Sequence, residues 1–398
     1  MSVAGPPRER SRRRFVAVVV VLAIFAVALP VAWWLATVQQ KPSQPSRSGC
    51  SEVHIFTGNE QSPYWKFAMA LQRQLSDHLD KTTVVPWKTQ GGAENLYDLE
   101  GYARCGVAIA KLNVAVDAAY GVNQFNSDSA EDTSSSIPPH QIKGLRTIGP
   151  VFDDLMQIVV RDKPNRPDRP HITDVHQLCG RPLGTGLALS GSIQLTQVFY
   201  REICKDQELD LKKVKKDTLK NGFKYLNSAG PDFVDAVIWV NASPTADIQN
   251  EIRDNGARLL PVPASVRSAM NDNWRQIYQD QGNNKFAGQN VILPGMIYKE
   301  DYGLKQDIAT VGVPNGLVVL NSADPGLVAE LARILLADQD STTPLASLWG
   351  ENPRHRTLAD VESYVTSQVP SLFCYVPLHP EAIKVYQAKF HVPTCGRS

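Results

Sequence analysis

Three short stretches carry residue types that could grip an anion. They are "FTGNEQSPYW" (56–65), "TQGGAENL" (89–96) and "GTGLALSGSI" (184–193), and each sets glycine or serine between an apolar run and an amphipathic one. Glycine is entropically costly. A pair such as Gly91–Gly92 therefore marks a backbone conformation, or a close approach, that a side chain would block. Where a strand feeds a helix, free N–H groups meet the positive end of the helix dipole, and a carboxylate or phosphate is favoured there. Taken singly, each stretch is also a plain turn. Three at one topological position point to a shared site, because ligands of open α/β sheets bind beyond the carboxyl ends of the strands. The candidate contacts are Thr57, Gly58, Tyr64, Trp65, Gly91, Gly92, Asn95, Ser190, Gly191 and Ser192. Ser190 or Ser192 could equally cap the helix that follows.

Lys111 closes the apolar run "GVAIA" (106–110), where a strand edge would meet a cleft, and Asn113 follows it. A lysine there is a compact counter-charge for an anion; an exposed lysine at a strand end is the plainer alternative. Tyr64, Trp65 and Trp239 could cover the body of a ligand, or could be core. No catalytic set is visible. "GTGLAL" lacks the third glycine of a dinucleotide fingerprint, no GxxxxGK[ST] occurs, and Ser190 is not in a GxSxG elbow. Adjacent Asp153 and Asp154 would point to opposite faces of a strand, poor geometry for a dyad and suited to solvent or hinge contacts. No Cys/His spacing resembles a zinc site. The expectation is a binding protein, not an enzyme, with no cofactor and no metal.

The elements that must position these residues alternate. "EVHIFTG" (52–58), "TTVVPW" (82–87) and "GVAIAKL" (106–112) read as strands. Between them lie a helix opened by Pro63, with Tyr64, Phe67, Leu71 and Leu75 at helical spacing, and another near Ala93–Arg104. That order predicts a parallel sheet with crossover helices. A polar surface loop follows at 122–143, then two strands, "LRTIGPVF" and "LMQIVVR" (145–161). Further strands are expected at 181–186, 235–240, 258–262, 290–297 and 313–320, and helices at 325–336 and from Pro380. The rhythm fits two α/β lobes, 50–152 plus 310–398 and 153–309, with a cleft between them.

The first residues differ in kind. Arg8, Arg10, Arg12, Arg13 and Arg14 precede an apolar run from Phe15 to Val38. At about 24 residues it is long enough to cross a bilayer. The arginines keep the tail 1–14 in the cytoplasm, 15–38 is read as an anchor, and 39–49 as a polar linker. A twin-arginine export signal around Arg12–Arg13, with cleavage near "AVA" (26–28), is the rival reading. Either way the rest of the chain lies outside the cytoplasm. All six cysteines follow the run, which suits an oxidising compartment. Six cysteines allow 15 pairings; pairing by proximity gives Cys50–Cys105, Cys179–Cys204 and Cys374–Cys395. A net charge of +1 leaves no footprint for nucleic acid.

Several stretches together resemble the TAXI family, the solute-binding subunits of TRAP transporters. Thr57, Gly58 and Tyr64–Trp65 echo its glycine-rich turn and aromatic pair. Thr89–Leu96 is similar to its T-G-G-S-x-E-N-L, and Gly101–Ala115 follows its third motif. "LCGRPLGTGLALSGS" (178–192) and "PLHPEA" (377–382) match two more. The resemblance implies a two-lobed periplasmic-binding-protein-like fold, a small anionic solute such as glutamate, another amino acid or a dicarboxylate, and a multi-spanning permease as partner. The chain departs from the family at Glu60, which would repel a carboxylate, and at Lys111 and Asn113, which stand where the family has Gln and Asp. The alternative is a tethered sensory or scaffolding domain that binds a ligand or a neighbouring protein without transport; its cytoplasmic tail would be too short to signal alone.

Overall fold

The computed structural model describes residues 48–393 except 61, 80, 128–136, 164–168, 188–189, 206, 208, 212, 281–290, 338–364 and 367–371. The basic tail 1–14, the apolar run 15–38 and nearly all of the linker lie outside the described residues. Among the described residues no helix is long and apolar enough to cross a membrane.

The chain begins β1 (Glu52–Phe56), α1 (Pro63–His78), β2 (Thr83–Trp87), α2 (Gly92–Gly101), β3 (Gly106–Lys111) and α3 (Leu112–Tyr120). It continues through β4 (Leu145–Arg161), β5 (Leu183–Thr185), α4 (Gly191–Cys204), β6 (Lys215–Lys216), α5 (Leu219–Asn227) and β7 (Ala236–Asn241). Then come α6 (Ala246–Asn255), β8 (Ala257–Leu260), α7 (Ala264–Asp280), β9 (Leu293–Ile297) and α8 (Lys299–Tyr302). It ends with β10 (Ile308–Leu320), α9 (Pro325–Ala337), α10 (Leu372–Tyr375) and α11 (Pro380–Gln387).

The first elements form as their patterns dictate. Ser62 caps α1 by accepting from Trp65 N–H at 3.1 Å, and Pro63 sits in the first turn, where its missing N–H costs nothing. Tyr64, Phe67, Leu71 and Leu75 then share the buried face. Every residue of β3 is buried, as in a strand covered on both faces. Phe56, Phe67, Phe152 and Phe199 are sealed in the main core, each worth about 2–3 kcal/mol of burial. A smaller cluster gathers Leu219, Phe223, Leu226, Val237, Ile248 and Ile297.

The sheet has ten strands, with β2-β1-β3-β10-β4-β7-β5-β6 in line, β8 beside β4 and β9 beside β10. Strands β1, β2 and β3 are parallel, as expected. The whole sheet is mixed, however, because β10 runs antiparallel to β3, β4 and β9, and β4 antiparallel to β7 and β8. The two strands expected at 145–161 are one strand of 17 residues. Neither Gly149–Pro150 nor Asp153–Asp154 turns the chain, and the break is instead a register shift opposite Asn315: Pro314 pairs with Asp153 and Gly316 with Pro150. Two residues of β4 thus face one of β10, a bulge. The first half of β4 pairs with the end of β10, and its second half with β7 and β8.

Two disulfides follow the proximity pairing, Cys50–Cys105 and Cys179–Cys204. Cys374 is also disulfide-bonded; Cys395 lies outside the described residues. Within the expected surface loop, Phe125 closes a short 3-10 turn, Asn123–Phe125, and is 1% exposed.

Candidate functional site

The first two turns are knitted together. Thr57, fully buried, directly follows β1, and its carbonyl accepts from the Thr89 hydroxyl at 3.1 Å and from Asn95 Nδ2. Asn95 Nδ2 also donates to Ile109 O at 2.7 Å, so both amide hydrogens are used within the protein. Asn95 is therefore a brace between β1, β2 and β3, and offers a ligand no donor. The glycine pair divides its work. Gly91, the N-cap of α2, has φ 142°, a region that side chains avoid. Gly92 brings the first turn of α2 to within 3.7 Å, measured from a would-be β-carbon, of Ala110 Cα.

Lys111 is the N-cap of α3 and is 6% exposed. Its Nζ donates to Asp154 Oδ2 at 2.7 Å and lies 3.5 Å from Tyr64 Oη and 5.5 Å from the Tyr64 ring centre. Asp154 comes from β4 and is fully buried. Asn315, whose backbone pairs with Lys111 across β3 and β10, completes the group. Its Oδ1 accepts from Tyr64, and its Nδ2 donates to Phe152 O at 3.2 Å, satisfying a carbonyl at the bulge. Burial drives the Asp154 carboxyl above its ordinary range even though Lys111 pulls it down. Burial, then Asp154, pushes the Tyr64 phenol well up, so it stays neutral.

The third turn arrives from the other side. A β-carbon on Gly191 would stand 2.6 Å from Lys111 Cδ and 2.9 Å from Val114 Cγ2, so α4 starts in direct contact with the start of α3. The N-termini of α2, α3 and α4 therefore converge around Lys111, and their dipoles add positive potential there. Beside this contact, Asn113 Nδ2 donates to Gln194 Oε1 at 3.4 Å, and Gln194 Nε2 donates to Asp117 Oδ2. Burial holds the Asp117 carboxyl well above its ordinary value. Asn113 Oδ1 and Ser190 Oγ are buried and make no hydrogen bond among the described residues, so both keep capacity for a polar ligand.

Thr57, Gly58, Tyr64, Gly91, Gly92, Asn95, Lys111, Asn113, Ser190, Gly191 and Ser192 thus fall at the turns and helix starts of one region. Ser190 stands at the N-cap of α4 without a capping bond. Ser192 Oγ accepts from Val240 N–H at 3.2 Å and ties α4 to β7. Two aromatic candidates go elsewhere. Trp65 is half-buried, with Lys88 Nζ 5.6 Å above its ring and Lys88 paired to Glu60. Trp239 packs on the smaller core cluster. The pairing of Lys88 also removes part of the repulsion expected from Glu60. Sequence reasoning missed Asp154, Asn315, Asp117 and Gln194. The available signal was a carboxylate inside an apolar strand, at "DDLMQIVV" (153–160), read there as a solvent or hinge contact.

The sequence pattern of the NMT1-like family matches residues 55–389. No curated protein matches the chain. Among solved structures, the chain is similar to MatC from Rhodopseudomonas palustris with bound malate, at 12% identity and a TM-score of 0.44, covering 83% of this chain and 99% of that one. It is similar to the alkanesulfonate-binding protein SsuA from Xanthomonas axonopodis bound to MOPS, at 14% identity and a TM-score of 0.38, covering 85% and 90%. It is similar to SsuA from Escherichia coli at 13% identity and a TM-score of 0.35, covering 86% and 84%. At such TM-scores neither ligand nor mechanism passes from these proteins to this chain.

Proposed function

The chain belongs to the NMT1-like family, and from that premise we propose that it is an extracytoplasmic solute-binding protein for a small anionic solute. One observation carries the reading. A buried lysine stands where three helix N-termini meet, at the carboxyl ends of strands, a place that favours a negative ligand. An amino acid or dicarboxylate such as glutamate fits that chemistry. Lys111 and the turn amides would take its carboxylate, Asn113 Oδ1 and Ser190 Oγ its polar groups, and Tyr64 its body.

The division proposed is 50–152 with 310–398 as one lobe and 153–309 as the other. Strands β4 and β10 join them, and bending there would open the Gly191–Lys111 contact to admit solute. The TAXI-like motifs support a TRAP-type permease as the partner, and the apolar run 15–38 supports a membrane anchor with the N-terminus in the cytoplasm. The test is calorimetry against a panel of amino acids and dicarboxylates. Binding that is lost in Lys111→Ala is the expected result; silence across the panel would end the proposal.

A tethered sensory or scaffolding role is the second reading. It is favoured by the Lys111–Asp154 pair, since a site whose charges already match can hold its shape without solute. Silence across the same panel, with a protein captured on the folded chain, would select it.

A further inference from the structure

The charges at the Lys111 site balance before any solute arrives. Lys111 supplies one positive charge, and Asp154 uses it at 2.7 Å with side chains 8% and 0% exposed. The titratable or charged groups that face Asp154 among the described residues are Lys111 from the β3–α3 junction and Tyr64 from α1; Asn315 from β10 is a neutral neighbour. Asp153, next on β4, is half-buried. A solute carboxylate placed against Lys111 would leave two carboxylates sharing one ammonium in a sealed cluster. An uncompensated buried charge is expensive, and two close carboxylates do not both stay ionised.

We propose that Asp154 is the specificity-determining residue of this site, so that a carboxylate solute lacking an ammonium group enters only together with one proton, which Asp154 takes up. The inference rests on the solute-binding reading above. The balance is simple: the ionised pair, the solute anion and one proton from solvent become a Lys111 ammonium paired with the solute and a neutral Asp154 acid. Tyr64 Oη, 3.5 Å from Asp154 Oδ2, stays as its hydrogen-bond neighbour after the proton arrives. Burial already holds the Asp154 carboxyl above its ordinary range with Lys111 present, and diverting Lys111 to a solute raises it further. An amino acid needs no such proton, because its own ammonium can face Asp154.

Calorimetry of the full chain with succinate, in buffers of different ionisation enthalpy, counts the protons directly. From about pH 7 upward, well above the ordinary carboxylate range, succinate carries both its charges, so a proton taken up belongs to the protein. Succinate with one proton then brings the same net charge as glutamate, whose ammonium offsets one of its two carboxylates, and the second carboxylate of either solute faces the turn amides. The expected result is one proton per succinate, with affinity weakening about tenfold per pH unit. Asp154→Asn should bind succinate without proton uptake and with a flat pH profile, and glutamate should bind the wild type with a flat profile. Succinate bound by the wild type without proton uptake, or a slope that survives in Asp154→Asn, overturns the inference while leaving the solute-binding reading intact. Failure of both solutes to bind either protein at any pH sinks that reading, and this inference with it.

Discussion

Lys111 Nζ and Asp154 Oδ2 lie 2.7 Å apart, one at the end of β3 and the other on the longest strand of the sheet. Two residues 43 positions apart in sequence are fastened with side chains only 8% and 0% exposed. Removing one partner strands the other charge. Lys111→Met should destabilise the fold by about 3–5 kcal/mol, and the double variant with Asp154→Leu should recover most of that loss. Denaturant titrations of the single and double variants measure both steps. A single variant as stable as wild type would mean that the pair opens readily to water.

The two glycines of "TQGGAENL" should part company. Gly91 holds φ 142°, so Gly91→Ala should cost about 1–3 kcal/mol in strain. Gly92 lies in the first turn of α2, where a β-carbon would meet Ala110 at an ordinary 3.7 Å, so Gly92→Ala should be neutral or slightly stabilising. Thermal midpoints of the two variants test the contrast, and equal losses would refute the division of labour.

Gly191 leaves room for α4 to start against the Lys111 cluster. Gly191→Ala would press on Lys111 Cδ at 2.6 Å and Val114 Cγ2 at 2.9 Å. Overpacking of this kind costs about 1–3 kcal/mol. The proposed closure of the two lobes predicts a second effect, weaker solute binding at unchanged Lys111 chemistry. Calorimetry on this variant separates the two, since a purely structural contact would lower the melting point and spare affinity.

The sequence announces the turns more clearly than the site. Glycine punctuation and helical spacing place β1, β2, β3 and the start of α1 within two residues and α2 within three, because local chemistry decides them, whereas the helix α3 (Leu112–Tyr120) goes unread. What stays hidden depends on long-range pairing. Asn315 sits in a run, "VPNGLVVL", that reads as strand from its apolar neighbours, yet its role comes from standing opposite Lys111 on one side and a bulge on the other. Asp154 looks like half of a solvent-facing pair until β4 is known to continue through it. Trp239, for which the sequence left ligand cover and core both open, packs against a cluster whose other members lie as far off as Tyr302.

Asp117 makes the fold sensitive to pH. Burial holds its folded-state carboxyl well above the ordinary value, against the pull of hydrogen bonds from Asn123 and Gln194. The folded protein therefore binds this proton more tightly than the unfolded chain. Its stabilising effect is complete below the ordinary carboxylate range and is lost as pH rises through the folded value, at about 1.4 kcal/mol per pH unit. Asp117→Asn should lower the slope of stability against pH by one proton in that window. Parallel curves for variant and wild type would exclude it.

The order of strands also sets a timetable. β3 is flanked by β1 and by β10, and β10 is Ile308–Leu320, which begins 197 positions after Lys111 and so is made much later. Thr147, near the start of β4, waits longer still, since it exchanges backbone hydrogen bonds with Pro377 and His379. The early segment must therefore emerge with an unmatched strand edge, a hazard for aggregation and a brake on rapid collapse. A polypeptide built this way completes its sheet only after β10 and the segment around Leu378 have been made.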